Sequence, residues 1–161
     1  MKKAIAIAGI CLTASLIIAA AEAVRPLNAR TGLWQMTETT AWTGVPPQYA
    51  AILKSGRPRN YKSCVKTKDL SSNPFAEGTH DTCHWTVLKS TGTDMEVKGT
   101  SCDMGKEAGM TAELHGTIHV SDPENGTGLF DVTLTGEGQT MKGRASYTGK
   151  WIGATCPENM N

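Results

Sequence analysis

The sequence predicts a mainly β fold: a single antiparallel sheet of about seven strands, strongly curled or closed into a small barrel, with one short helix in its N-terminal half. Apolar and polar residues alternate strictly from Met110 to Trp151, as in strands whose successive side chains point to opposite faces. Glycines recur in the apolar rows, where they often mark a bend or a close backbone approach. They are Gly99, Gly116, Gly143 and Gly149. A two-sheet β-sandwich is the alternative.

Residues 1–23 are organised like a secretory signal peptide. Lys2 and Lys3 precede an apolar run from residue 4 to 21, and Ala21-Glu22-Ala23 places small residues where signal peptidase cleaves. We therefore expect cleavage after Ala23, a single domain over 24–161, and a periplasmic or secreted protein without a stable membrane span. A retained membrane anchor is the disfavoured alternative, since the run is near the lower length limit for a spanning helix.

The charge balance excludes one class of partner. The chain has 16 Lys and Arg against 15 Asp and Glu, and loss of Lys2, Lys3 and Glu22 leaves 14 of each. A nucleic-acid-binding protein usually carries a basic excess, so no nucleic-acid partner is expected.

The cysteines predict two disulfides. Of the five cysteines, one lies in the signal peptide, and an even number remains in an exported domain. A hairpin turning at Gly92-Thr93 would set Cys83 opposite Cys102, but a register with Val87 opposite Val97 moves these cysteines one step apart. The sequence weakly favours Cys83–Cys102 with Cys64–Cys156, and the other pairings stay open.

Turn residues divide the rest of the chain into elements. A helix is predicted over 47–55. Prolines stand at its start, Tyr49, Ile52 and Leu53 follow at helical spacing, and Gly56 can end it in a left-handed cap. The first connection of the meander after Met110 is expected over 121–128. The remaining expected elements are strands at 33–40, 60–66, 83–89 and 94–102, and a helical turn within 67–72.

Several motifs occur in a characteristic order. They are Gly32-Leu33-Trp34 opening the first strand, a Pro-rich helix, Ser63-Cys64-Val65, Cys83, Cys102 at a strand end, and the ending Gly149-Lys150-Trp151-Ile152-Gly153-Ala154-Thr155-Cys156. With the signal peptide, this order resembles a bacterial secreted family known as domain of unknown function 3617. The resemblance implies a periplasmic or secreted β protein of Gram-negative bacteria and brings no established activity or catalytic residues. This chain departs from the family pattern in two places. Its predicted helix is more polar, at Gln48-Tyr49, and its turn over 122–128 is longer.

One candidate site lies on the polar face of the meander. Pairing Val120 with Phe130 puts His119 opposite Asp131, and the next hairpin puts Arg144 on the other side of Asp131. A histidine, a carboxylate and an arginine would then share one surface. A solvated cross-strand charge ladder is favoured over a catalytic group at this position.

The apolar face is the second candidate site. Its large side chains either fill the core or line a cavity for a small apolar molecule. They are Trp34, Met36, Trp85, Met95, Phe130, Met141, Tyr147 and Trp151.

The main functional hypothesis is a non-enzymatic periplasmic domain that binds a small apolar ligand or an envelope protein. No nucleophile motif, phosphate loop or metal-protease pattern is present, and no cofactor or metal is expected. One alternative is a structural or stress-related interaction protein that docks through Tyr49 and Ile52 of the predicted helix. A hydrolase or isomerase using His119 and Asp131 is the other, and the oligomeric state stays open.

Overall fold

A computed structural model describes residues 24–51, 53, 55–75, 83–103 and 109–160 of the chain. Seven strands form one antiparallel sheet in the order β2-β1-β7-β6-β5-β4-β3, which is not closed into a barrel. The mainly β, single-sheet prediction is therefore confirmed, and barrel closure is not. The strands are β1 Gly32–Thr43, β2 Arg59–Val65, β3 His84–Ser90, β4 Asp94–Asp103, β5 Met110–Asp122, β6 Asn125–Gly136 and β7 Gln139–Gly153.

The sheet curls around its apolar face, and the core lies on the concave side. Trp85 on edge strand β3 packs edge-to-face on Phe130 of β6 with 6.4 Å between ring centroids. Alternate residues of β6 are buried, as the period of a strand requires. The N-terminal segment and a 3₁₀ turn at Asp69–Ser71 are also tied together, because the Leu27 N–H donates to the Leu70 carbonyl at 2.8 Å.

The predicted helix over 47–55 is wrong. The chain forms a 3₁₀ turn at Pro47–Tyr49, and among the described residues that follow, the Leu53 N–H donates a helical hydrogen bond to the Tyr49 carbonyl at 2.8 Å. So short a segment has little helical stability of its own, and tertiary contacts decide its shape. Here the buried Tyr49 side chain donates a hydrogen bond to Glu137 at 2.7 Å. Gly56 has the positive φ that the sequence predicts, at 73°.

The predicted connection over 121–128 is also wrong, because β5 and β6 are joined by a two-residue turn at Pro123-Glu124. Aspartate at the first turn position and proline at the second favour a tight turn. The Asp122 carboxylate accepts hydrogen bonds from the Glu124 N–H at 2.8 Å and from the Asn125 side chain at 2.9 Å. Residues 126–128 consequently continue β6 and shift its register against β5.

Two bulges reconcile the competing registers of the β3–β4 hairpin. Val87 pairs with Val97, as the apolar pattern demands, while Cys83 and Cys102 still form a disulfide with 4.0 Å between Cα atoms. Leu88 is the extra residue on β3. A second shift, in the pairing of β4 with β5, lies between Gly99 and Cys102, where Ser101 of β4 adopts a φ of 54°. Each bulge moves the pairing by one residue, so both predicted alignments occur in one hairpin.

The second disulfide joins Cys64 on β2 to Cys156 beyond β7, across 92 residues. Both bonds follow the pairing that the sequence favours. Two disulfides are typical of an oxidising compartment outside the cytoplasm. The predicted signal peptide lies outside the described residues. Within the described ranges, no helix has the length and apolar character needed to cross a membrane.

The inward glycines allow the close approach that their positions predict. Each lies directly opposite a large inward side chain on a neighbouring strand, in the pairs Gly99–Trp85, Gly116–Phe130, Gly143–Trp42 and Gly149–Met36. A Cβ atom at Gly116 would lie only 2.2 Å from Cδ1 of Phe130, and one at Gly143 only 2.5 Å from Cε3 of Trp42. The large side chains therefore lie across the neighbouring backbone.

We expect Gly116→Ala to lower the free energy of unfolding by about 1–3 kcal/mol, because the added methyl displaces the Phe130 ring. Gly153→Ala is the matched control, since a Cβ there would meet no atom within 4 Å. Urea denaturation of both variants measures the effect. Equal stabilities of the two variants would contradict the proposed packing of Phe130.

We expect the double variant Cys64→Ala, Cys156→Ala to lose about 4–5 kcal/mol of unfolding free energy, because the bond closes a long loop and restricts the unfolded chain. Both cysteines are only half-buried, so little packing is lost. Thermal and urea unfolding should therefore show a large loss of stability. Unfolding curves that superimpose on those of the wild-type protein would contradict this role.

Candidate ligand cavity

A cavity of about 170 Å³ opens on the concave side of the sheet. All seven strands contribute to its wall, together with the chain around Phe75. The wall is mainly apolar and aromatic. Its larger side chains of this kind are Trp42, Phe75, Trp85, Leu114, Phe130 and Val132.

The structure divides the predicted inner-face residues into three groups. Trp85, Phe130 and Tyr147 line the cavity. Trp151, near the end of β7, is half-buried and packs against the core, and its indole N–H donates to the Thr31 carbonyl at 3.0 Å. The remaining four are core residues with at most 2% of their surface exposed: Trp34, Met36, Met95 and Met141.

Several residues of the cavity wall are absent from the predicted inner face. Trp42 continues the row of Trp34 and Met36, and the predicted first strand ends two residues before it. A predicted strand two residues longer would have placed Trp42 on the inner face. Phe75 follows a turn without any periodic pattern, so nothing in the sequence indicates its place over Gly126 and Gly128.

One wall residue of the cavity, Trp85, carries a buried hydrogen-bond donor that has no partner among the described residues. The indole nitrogen of Trp85 is buried and has no hydrogen-bond acceptor within the described part of the chain. By contrast, the indole N–H of Trp34 donates to the Arg30 carbonyl at 2.9 Å. The Cε3–Cζ3 edge of Trp85 lies over Gly99, so its N–H edge faces away from that glycine. Buried polar groups are nearly always hydrogen-bonded, so Trp85 is an exception among the described residues.

Polar side chains form one end of the cavity, organised by the carboxylate of Glu38. Its Oε2 accepts hydrogen bonds from the Arg59 guanidinium at 2.8 and 3.2 Å, and its Oε1 accepts one from Thr40 at 3.0 Å. Burial, and then the negative charge of Glu38, raise the pKa of Tyr147, so its hydroxyl stays protonated. Arg59 also lies over the Tyr61 ring, 4.5 Å from its centroid. These contacts hold the polar end in a single arrangement.

The predicted pairing of His119 with Asp131 is wrong. The tight turn between β5 and β6 shifts the register, so His115 lies opposite Asp131 and His119 lies opposite Thr127. Four residues along a strand separate the two histidines by about 13 Å. Asp131 does lie opposite Arg144 and binds it at 2.8 Å, which lowers the pKa of Asp131.

Both histidines instead pair with carboxylates of β4 on the exposed face. His119 contacts Asp94 and His115 contacts Glu96, each at 2.8 Å. A hydrogen bond from Thr93, and then one from His119, lower the pKa of Asp94. Over half of each histidine side chain is exposed, which is the geometry of a solvated charge ladder and not of an enclosed catalytic group.

Comparison with known proteins identifies the family. The model of the family described as "Protein of unknown function (DUF3617)" matches residues 28–156, which is most of the chain. The chain belongs to this family. Comparison with curated proteins and with solved structures gave no match. In this DUF3617 protein the matched region contains every strand, both disulfides and the whole cavity wall.

The structure also bears on the docking hypothesis for this DUF3617 protein. Tyr49 is 8% exposed and its hydroxyl is bound to Glu137, so it is not presented to a partner. Ile52 lies outside the described residues.

The unpartnered donor of Trp85 predicts a difference between two equivalent substitutions. Trp34→Phe removes an indole N–H that donates a hydrogen bond to the Arg30 carbonyl. Trp85→Phe removes a buried indole N–H that has no acceptor among the described residues. We expect Trp34→Phe to be less stable than Trp85→Phe by about 1 kcal/mol or more, because an unmade hydrogen bond contributes nothing to folding. Chemical denaturation of both variants provides the measurement. A Trp85→Phe variant as destabilised as Trp34→Phe would contradict this account.

Proposed function

We propose that this protein binds a small, mainly apolar molecule that carries a hydrogen-bond acceptor, and that it is not an enzyme. The observation that carries the proposal is the aromatic-lined cavity, whose wall includes Trp85, a residue with a buried indole N–H that has no acceptor among the described residues. A bound acceptor would complete the hydrogen bonding of this group, whose burial alone is unfavourable. Ligand cavities typically combine apolar walls with a few polar groups placed in this way.

The size of the cavity supports a small occupant. It measures about 170 Å³. An apolar protein cavity of about 150 Å³ accommodates benzene. Pockets for drug-sized ligands are larger, at about 300–1,000 Å³. A single aromatic ring or a short alkyl chain is therefore the part of the ligand that this cavity would enclose.

The titratable groups at the cavity favour binding over catalysis. Glu38 is held by Arg59 and Thr40, so its carboxylate is committed to protein contacts. The raised pKa of Tyr147 keeps its hydroxyl from acting as a base. These groups would position a ligand rather than transfer its protons.

We also propose that binding takes place in the periplasm or outside the cell. Two disulfides support an oxidising compartment, and residues 1–23 have the sequence of a signal peptide.

Acetophenone and ethylbenzene test the proposed function because they have similar shapes and only acetophenone carries an acceptor oxygen. We expect both to bind the wild-type protein saturably in calorimetric titrations. In Trp85→Phe, the affinity for acetophenone should fall about five-fold, the value of one net hydrogen bond, while that for ethylbenzene stays nearly constant. Trp34→Phe is the control, since Trp34 lies in the core outside the cavity wall. Absence of saturable binding by both probes would refute the proposal.

A further inference from the structure

A second hollow adjoins the cavity and shares part of its wall. It measures about 420 Å³ and lies between β1 and the chain from Leu53 to Arg59. Glu38, Thr40, Trp42 and Arg59 line both spaces. The two spaces therefore adjoin at these four side chains.

The outer hollow carries a net positive charge. Among the residues that the structure describes, its charged side chains are Glu38, Arg57 and Arg59, which sum to +1. The Glu38 carboxylate is engaged by Arg59 and Thr40, so it is already neutralised within the protein. Arg57 is exposed, and it forms no ion pair with any residue in the described ranges. Its guanidinium is the cation that a ligand at this position would meet.

The two spaces share one large apolar wall residue, Trp42. Trp42 lies across Gly143 and borders both spaces, and Leu53 and Pro58 continue the apolar surface outward. An alkyl or aromatic body would contact this surface along its length. The charged end of such a molecule would emerge beside Arg57.

We infer that the ligand is a small amphiphile with one anionic end, such as a carboxylate, whose apolar body fills the inner cavity and whose charge lies at Arg57. This inference rests on the proposed function and adds the charge of the ligand. Aromatic walls also attract cations. Because Glu38 offsets the charge of Arg59, Arg57 provides the remaining positive charge, which opposes a cationic head group and attracts a carboxylate.

Three probes with the same chain and different head groups test the inference: octanoate, octanol and octylammonium. Calorimetric titrations at neutral pH and low salt would measure their affinities for the wild-type protein, Arg57→Gln and Arg144→Gln. Arg144→Gln makes the same change in net charge on the exposed outer face, where Arg144 binds Asp131. Arg57 lies in an exposed loop, so its substitution should leave the fold intact.

We expect octanoate to bind the wild-type protein about five-fold more tightly than octanol, as for a partly solvated ion pair. Arg57→Gln should abolish this preference without changing octanol binding, while Arg144→Gln should retain it. Equal affinities for octanoate and octanol, tightest binding of octylammonium, or a preference that survives Arg57→Gln would each overturn the inference. In these cases binding of octanol would leave the proposed function standing. If no probe binds saturably, the proposed function fails as well.

Discussion

Four glycines on the inner face of the sheet lie opposite large side chains of neighbouring strands, and much of the architecture depends on this steric pairing. Without a Cβ atom, Gly116 and Gly143 admit Phe130 and Trp42 directly onto the backbone. A side chain that lies across the adjacent strand occupies less of the space above the sheet. The concave side can therefore be lined with aromatic rings while it still encloses a cavity.

The polar groups of this concave side are satisfied with one exception. Arg59 and Thr40 bind the Glu38 carboxylate, and Trp34 donates its indole N–H to a backbone carbonyl. Trp85 alone among the buried side chains that the structure describes has an unpaired donor. An unmade buried hydrogen bond opposes folding, and buried polar groups are nearly always paired, so this donor is an exception within the described core.

The candidate site was only partly predictable because its wall combines two kinds of residue. Trp85, Phe130 and Tyr147 were found from their parity in alternating strands. Arg59 and Phe75 come from an edge strand and a turn, where no period reports the direction of a side chain. The predicted pairing of His119 with Asp131 failed for a related reason. One tight turn sets the register of the entire hairpin. This turn has two residues, whereas the predicted connection covered 121–128.

The sequence by itself determined the strands of a mainly β domain, the inward positions of its glycines and the presence of two disulfides, because alternation and cysteine number are local properties of the chain. Only the tertiary structure decided the registers. In the β3–β4 hairpin, two bulges satisfy both the Val87–Val97 pairing and the Cys83–Cys102 bond. The tertiary structure also decided that the sheet stays open, that Tyr49 is bound to Glu137 and that Trp85 has no hydrogen-bond partner among the described residues. These outcomes depend on contacts between residues far apart in the chain, which no local pattern specifies.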